Sequence, residues 1–341
     1  MERPATTLGA TRYPLRDHPA LVTLELGRNA PTALGLALLG VDGLAYGGTR
    51  DLWLSVKAKA AVPCVEAVLA HTVARGMRTH LRVLDERWLS PEDVAAFSHV
   101  GLHRLVVTVA SVAAELNDKR RASPGSFSKV RELVAATSAV GTLVHVETPW
   151  TDQPIDEAPR VLELVEEFGA AAWTLRFPVD FDETRLSARA AEQLLAILAE
   201  RAERTHVTID TCNAPHFRRI TRQLSRTPGQ IARATALRPA LNDGRGLLCI
   251  DDEGQILPSE SLRITCGSIR RDDPLEVYRF HPTFRTLRDT ELFEGTCRTC
   301  EYRSLCGGSR ARAYARTGKL LAADPLCDYP GQRDMLGMSR H

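Results

Sequence analysis

The 341-residue chain has no apolar run near the ~20 residues that a membrane-spanning helix needs, which argues against a bilayer partner. Its opening stretch, MERPATTLGATRYPLRDHP, lacks the apolar core of a secretory signal. The expected location is the cytoplasm, where thiols stay reduced. Charge of one sign is missing too. With 44 Lys and Arg against 42 Asp and Glu, net charge points to no polyanion, and no nucleic-acid partner is expected. There is no Walker loop, HExxH motif, Ser–His–Asp order or Gly-rich dinucleotide fingerprint. No internal repeat or low-complexity tract stands out either.

The chain is 44% hydrophobic and 25% charged, an ordinary globular composition, and long enough for one large domain with an appendage. Short apolar runs at 21–26, 51–56, 79–84, 104–110, 142–147 and 172–177 read as buried strands. Helical patterns with legible ends lie between them. Pro63 opens one that closes on Gly76; Ser90 and Pro91 open another with acids in its first turn. A further strand–helix unit follows near 206–225. This alternation predicts an α/β fold, a partial (β/α)6 TIM-like barrel with one extra unit, an open doubly wound sheet being the alternative. The Pro-, Gly- and Arg-rich stretch from 226 breaks the rhythm, and GLLCIDDEGQILPS reads as a hairpin. The expected division is an N-terminal extension over 1–20, the barrel over 21–240 and a small cysteine-bearing domain over 241–341.

Half of the eight cysteines fall in one 31-residue stretch, spaced Cys297-x2-Cys300-x5-Cys306-x20-Cys327. The first two share a tight turn and the others return from separate segments, so a four-sulfur cage is within reach. Zinc and an iron–sulfur cluster both suit such a cage, and sulfur softness alone does not choose between them. Disulfides or unrelated buried thiols are the plainer readings, and a reducing compartment disfavours the first.

The wording around these cysteines, CEYRSLCGGSRARAYARTG followed by DPLCDYP, resembles the SPASM-type extension of radical SAM enzymes, in the branch of heme and heme-d1 biosynthesis. TCNAPHFRR, ASPGSFSKV and the segment LPSE to FRTLRD resemble other parts of that branch, so the likeness spans roughly residues 20–330. It implies that Cys297, Cys300, Cys306 and Cys327 ligate one auxiliary [4Fe–4S] cluster. Cys249 and Cys266 do not fit a second such site, Ser259 standing where a ligand is expected. With Cys64 and Cys212 they read as buried or incidental thiols.

The same resemblance exposes a loss. Laid on the pattern EL-x3-C-x3-C-x2-C that holds the SAM-cleaving cluster, Glu25 and Leu26 match, but the cysteine positions fall on Ala30, Leu34 and Ala37. The Gly-rich acidic turn expected after the second strand reads LSVKAKAAVP, with Lys57 and Lys59 in its place. These departures imply a degenerate member for which S-adenosylmethionine is not an expected cofactor. The family is catalytic, yet its catalytic ligands are gone, so enzyme and non-enzyme readings both stand.

In a parallel barrel, ligands sit at the C-terminal strand ends. The strand reading places Glu25, Lys57, Lys59, Glu147, Arg176, Asp210 and His216 there, with Arg218 and Arg219 on the helix that follows. Together they would form a basic mouth suited to a carboxylate-bearing ligand, a tetrapyrrole or a peptide by family analogy. Taken singly, the lysines read as solvated, His216 as a capping or surface residue and the arginine pair as an exposed face. Arg310 and Arg312 read as packing on the cysteine loop, and Ser126 as a helix cap. The expected role is a substrate-binding scaffold, or the partner of an intact relative, in cofactor, tetrapyrrole or peptide-modification biosynthesis. The alternatives are an enzyme using the cluster and the basic mouth for redox or group-transfer chemistry, and a zinc-stabilised structural domain.

Overall fold

A computed structural model describes residues 17–180, 186–229 and 241–330. Most of the expected N-terminal extension and the centre of the Pro- and Arg-rich stretch lie outside the described residues. Seven parallel strands follow one another through the chain: β1 Leu21–Leu26, β2 Asp51–Val56, β3 Arg78–Val83, β4 Arg104–Thr108, β5 Leu143–Pro149, β6 Ala172–Arg176 and β7 Thr208–Cys212. They match the apolar runs in the sequence to within a few residues. Helices join them: α1 Ala30–Tyr46, α2 Val65–Ala74, α3 Pro91–Val100, α4 Ala114–Arg120, α5 Ser126–Ala139, α6 Glu157–Glu167 and α7 Ala188–Ala202, with α8 His216–Leu224 after β7.

Alternation along the strands sorts the side chains onto two faces. Val22, Leu24, Leu52, Leu54, Leu81, Val83, Leu105, Val107, Val144, Val146 and Leu175 are buried in the apolar core. Most of the intervening positions are polar, among them Glu25, Ser55, Arg82, Glu147, Thr174, Arg176 and Asp210, which line cavities. The sheet curves around that polar side. β2 and β5 are three strands apart, about 14 Å in a flat sheet, yet the Trp53 and His145 rings meet with centroids 5.3 Å apart.

The hairpin, β8 Leu247–Ile250 and β9 Gln255–Leu257, does not form a sheet of its own. β8 runs parallel to β1, pairing Leu21 with Leu247 and Leu24 with Ile250. The sheet is therefore continuous across residue 240, in the order β10-β9-β8-β1-β2-β3-β4-β5-β6-β7, with β10 being Gly267–Ser268. Beyond it come α9 Pro274–Phe280, α10 Pro282–Arg288, the short α11 Thr296–Thr299 and α12 Arg310–Thr317.

Local signals hold in some places and fail in others. Ser90 closes a capping box on α3, accepting from the Asp93 amide at 3.1 Å while its own amide donates to Asp93 Oδ2 at 2.7 Å. Pro63 does not open α2 but sits inside a helical turn, Lys59–Cys64, that precedes it. Ser126 does not cap α5. Asp118 does, accepting from the Phe127 amide at 2.9 Å and the Gly125 amide at 2.5 Å, with the Ser126 hydroxyl donating to it as well. No described helix is long and apolar enough to cross a membrane.

Candidate metal centre and barrel cavities

All four clustered cysteines line one cavity. The sequence brings them there from three places. Cys297 lies in α11, Cys300 just past its end, Cys306 at the end of a turn, and Cys327 beyond α12 in the DPLC segment. Cys297 and Cys306 are buried, Cys300 and Cys327 half-buried. Gly307 and Gly308 follow Cys306 with φ of 79° and 62°, a region that L side chains rarely adopt. A Cβ on Gly308 would stand 2.6 Å from Arg310 Nη2 and 3.4 Å from Cys297 Sγ, so the loop closes on the cavity only as glycine.

The surroundings suit an anion of sulfur. The Gly308 amide donates to Cys306 Sγ at 3.4 Å, and Arg310 Nη2 lies 3.8 Å from Cys297 Sγ. Burial pushes the Cys300 and Cys306 thiols up and Cys327 to about 12, so bare thiols there stay protonated until a metal displaces the protons. Among the described residues, no three His, Cys, Asp or Glu side chains stand close enough to share a single ion. The donor set, the glycine cradle and the donors aimed at sulfur all fit a cysteine-ligated cluster.

His216 and Arg219 also line this cavity, away from the barrel mouth where the strand reading had placed them. His216 is completely buried, with Nε2 3.2 Å from Asp324 Oδ2 and no hydrogen-bond partner on Nδ1. It is neither a capping nor a surface histidine. α8 ends the strand–helix series and packs its first turn on the cysteine loops, so the register of that turn decides its address. Arg219 is buried, pairs with Glu192 and sits over the Tyr329 ring at 4.7 Å. Only Arg218 stays half-exposed, donating to Asp210 at 3.0 Å.

The polar side of the sheet holds two further cavities. The outer one, about 1120 Å³, is lined by Glu25, Lys57, Arg82, Arg120, Arg121, Glu147, Arg176, Glu260 and Arg263, among others. The inner one, about 930 Å³, takes in Thr23, Trp53, Asp210, Cys212 and Arg218. Lys59 lines neither and is exposed. The two share Glu147, Arg176 and Glu260 as a common wall.

That wall is a closed ring of alternating charge. Arg82 donates to Glu147 at 3.1 Å and also to Glu260, while Arg176 donates to Glu147 at 3.0 Å and to Glu260 at 2.5 Å. Burial alone would raise the Glu260 carboxyl, but Arg176 and Arg82 outweigh it and hold Glu260 well below the carboxylate range. The other cations of the outer cavity are paired as well. Lys57 stands 3.4 Å from Glu25, Arg263 3.2 Å from Glu25, Arg120 2.9 Å from Glu157 and Arg121 2.5 Å from Glu86. The mouth is rich in cations, and each has its carboxylate.

Ala30, Leu34 and Ala37 lie on one face of α1. They border a small cleft against the hairpin turn at Asp251, Asp252, Glu253 and Gly254, rather than a loop. Ser259 is buried and accepts from the Ser261 and Leu262 amides at 3.1 and 3.0 Å, while its hydroxyl donates to Asp243. It organises the turn after β9. Cys64, Cys212, Cys249 and Cys266 are far from the cysteine cavity in sequence and none lines it. Sequence reading did not single out Arg82, Glu260, Arg263 or Asp324. For Arg82 the signal was present, as a polar residue at an alternate position of the THLRV strand.

No family model matches the chain. It is 29% identical over 303 residues to the AdoMet-dependent heme synthase of Methanosarcina barkeri, covering 86% of each chain. It is 22% identical over 282 residues to the PqqA peptide cyclase of Methylocella silvestris, covering 78% of this chain and 71% of that one. Among solved structures, Streptococcus suis SuiB bound to S-adenosylmethionine superposes with a TM-score of 0.71 at 10% identity, covering 92% of this chain and 78% of that one. These likenesses support the radical SAM/SPASM family. The structural one carries the fold alone, a mixed α/β architecture with a large parallel sheet.

Proposed function

We propose that the chain carries one auxiliary [4Fe–4S] cluster on Cys297, Cys300, Cys306 and Cys327, does not cleave S-adenosylmethionine reductively, and serves as a substrate-binding scaffold or partner in cofactor, tetrapyrrole or peptide-modification biosynthesis. The observation that carries the first part is the convergence of the four thiols on one cavity, with backbone and guanidinium donors facing sulfur. Zinc would need four ligand atoms at about 2.0–2.3 Å from one ion, and the wording around the cysteines, which resembles the SPASM-type extension, is what favours a cluster over it. When bound, the cluster supplies a one-electron store. Cys297, Cys300, Cys306 and Cys327 would hold it, with His216 and Arg219 of α8 lining the same cavity.

The second part is supported by the packing of Ala30, Leu34 and Ala37, which offer no ligand where relatives of this family hold the SAM-cleaving cluster. By the resemblance, Lys57 falls in the turn that would receive a methionyl ammonium, and it stands 3.4 Å from Glu25 beside the outer cavity. The names of the relatives give heme as the product of one and a peptide as the substrate of another. The test is anaerobic incubation of the reconstituted protein with dithionite and S-adenosylmethionine, followed by chromatography for 5′-deoxyadenosine. None is expected above the protein-free rate. Steady turnover would contradict the proposal.

A further inference from the structure

The assignment of a cluster to the four cysteines raises the question of what balances its charge, and the inference here rests on that assignment. Four thiolates outweigh the positive charge of an iron–sulfur core, so the loaded site is an anion, and reduction makes it more so. A buried anion needs a counter-charge within a few ångströms.

Arg310 is 1% exposed and permanently charged. It donates to the carbonyls of Gly308 at 3.3 Å, Leu320 at 3.2 Å and Ala322 at 2.8 Å, and the Phe293 ring covers it at 4.6 Å. Its remaining donor, Nη2, faces Cys297 Sγ at 3.8 Å. Among the described residues no carboxylate forms an ion pair with it. Asp243 lies in its field, but Asp243 already accepts from Ser259 and from the Ala311 amide. Arg245 stands in a similar state. It donates to the Ser304 carbonyl, its Nη1 has no partner, and a Cβ on Gly307 would lie 3.6 Å from that nitrogen.

Their neighbours differ. Arg312 pairs with Asp324, Arg219 with Glu192 and Arg303 with Glu291. The guanidiniums around the cysteines thus fall into two sets, one neutralised by protein carboxylates and one not. We infer that Arg310 and Arg245 are the counter-charges of the loaded four-cysteine site and hold its reduction potential up, making both residues positioning and tuning groups rather than catalytic ones.

The experiment is an EPR-monitored redox titration of the anaerobically purified full chain and of Arg310→Gln, Arg310→Lys and Arg245→Gln, with iron counted in each. Arg310→Gln should retain iron and lose at least tenfold in the one-electron reduction equilibrium, a fall of about 59 mV. Arg310→Lys keeps the charge and should stay nearer the parent potential than Arg310→Gln. Arg245→Gln should fall in the same direction, which keeps the inference testable if Arg310→Gln does not fold. A parent-like potential in an iron-loaded Gln variant overturns it, as does an Arg310→Lys shift as large as that of Arg310→Gln. A parent protein without iron overturns the cluster assignment itself, and the inference with it.

Discussion

Arg312 Nη1 lies 3.0 Å from Asp324 Oδ2, with both side chains shut away from solvent. The pair ties α12 to the segment that delivers Cys327. Asp324 also accepts from the Ser309 amide at 2.5 Å and the Leu326 amide at 3.0 Å, so one carboxylate ties the start of α12 to the residue before the fourth cysteine. Burial pushes its pKa up, but Arg312 and His216 outweigh burial and hold it well below the carboxylate range.

Replacing Asp324 by Asn leaves Arg312 buried without its anion, a change that costs about 3–5 kcal/mol. The expected outcome is a large fall in the urea midpoint together with loss of bound metal. A variant with parent stability and metal content would show that the pair is incidental.

Gly308 is the second point of leverage. With φ at 62° and a Cβ that would meet Arg310 and Asp324 at 2.6 and 2.8 Å, Gly308→Ala strains the loop on two counts. We expect a loss of about 2 kcal/mol, in the range of overpacked sites. Metal content should drop further than it does for Gly229→Ala, a position with open space around it.

In the ring between the two barrel cavities, one charge should matter more than two. Glu260→Gln leaves Arg82 and Arg176 sharing Glu147 alone and is expected to cost about 3 kcal/mol. Removing Arg176 as well, as in Glu260→Gln with Arg176→Met, should recover part of that loss. Equal or additive losses in urea titrations would argue that the ring is not coupled.

His145 supplies a pH dependence. Burial lowers its pKa from 6.5 to about 4, with Arg104 and His80 adding to the effect against Glu147. The unfolded chain therefore binds a proton between those values that the folded chain refuses. The stability this group preserves is fully present above pH 6.5 and is lost as pH falls toward 4, by about 3 kcal/mol. In His145→Gln, the drop in stability between pH 7 and pH 4 should be smaller than in the parent by about that amount. Parallel pH curves would contradict it.

The strands were legible as short apolar runs set between helical patterns, some of whose ends, such as Ser90 and Pro91, carried a recognisable cap. The four cysteines were legible from spacing and wording. What stayed hidden depends on long-range pairing. That β8 joins β1 follows from no local signal in GLLCIDDEG, which reads equally well as an isolated hairpin. His216 reads as a surface histidine because nothing in NAPHFRR states that α8 docks on loops eighty residues downstream. Glu260 sits in a turn without periodicity, so its place in the charge ring emerges only once the hairpin is seated. Asp118 displaced Ser126 as the cap of α5 because its carboxylate reaches two amides at once.

The most direct test of the account is the inorganic content of the anaerobically purified chain, measured beside Cys297→Ala. The account predicts about four irons and four sulfides per chain, lost in the variant. About eight irons would mean a second cluster on ligands outside the four cysteines, and zinc in place of iron would reduce the cysteine cavity to a structural knot. Either result would contradict the proposal.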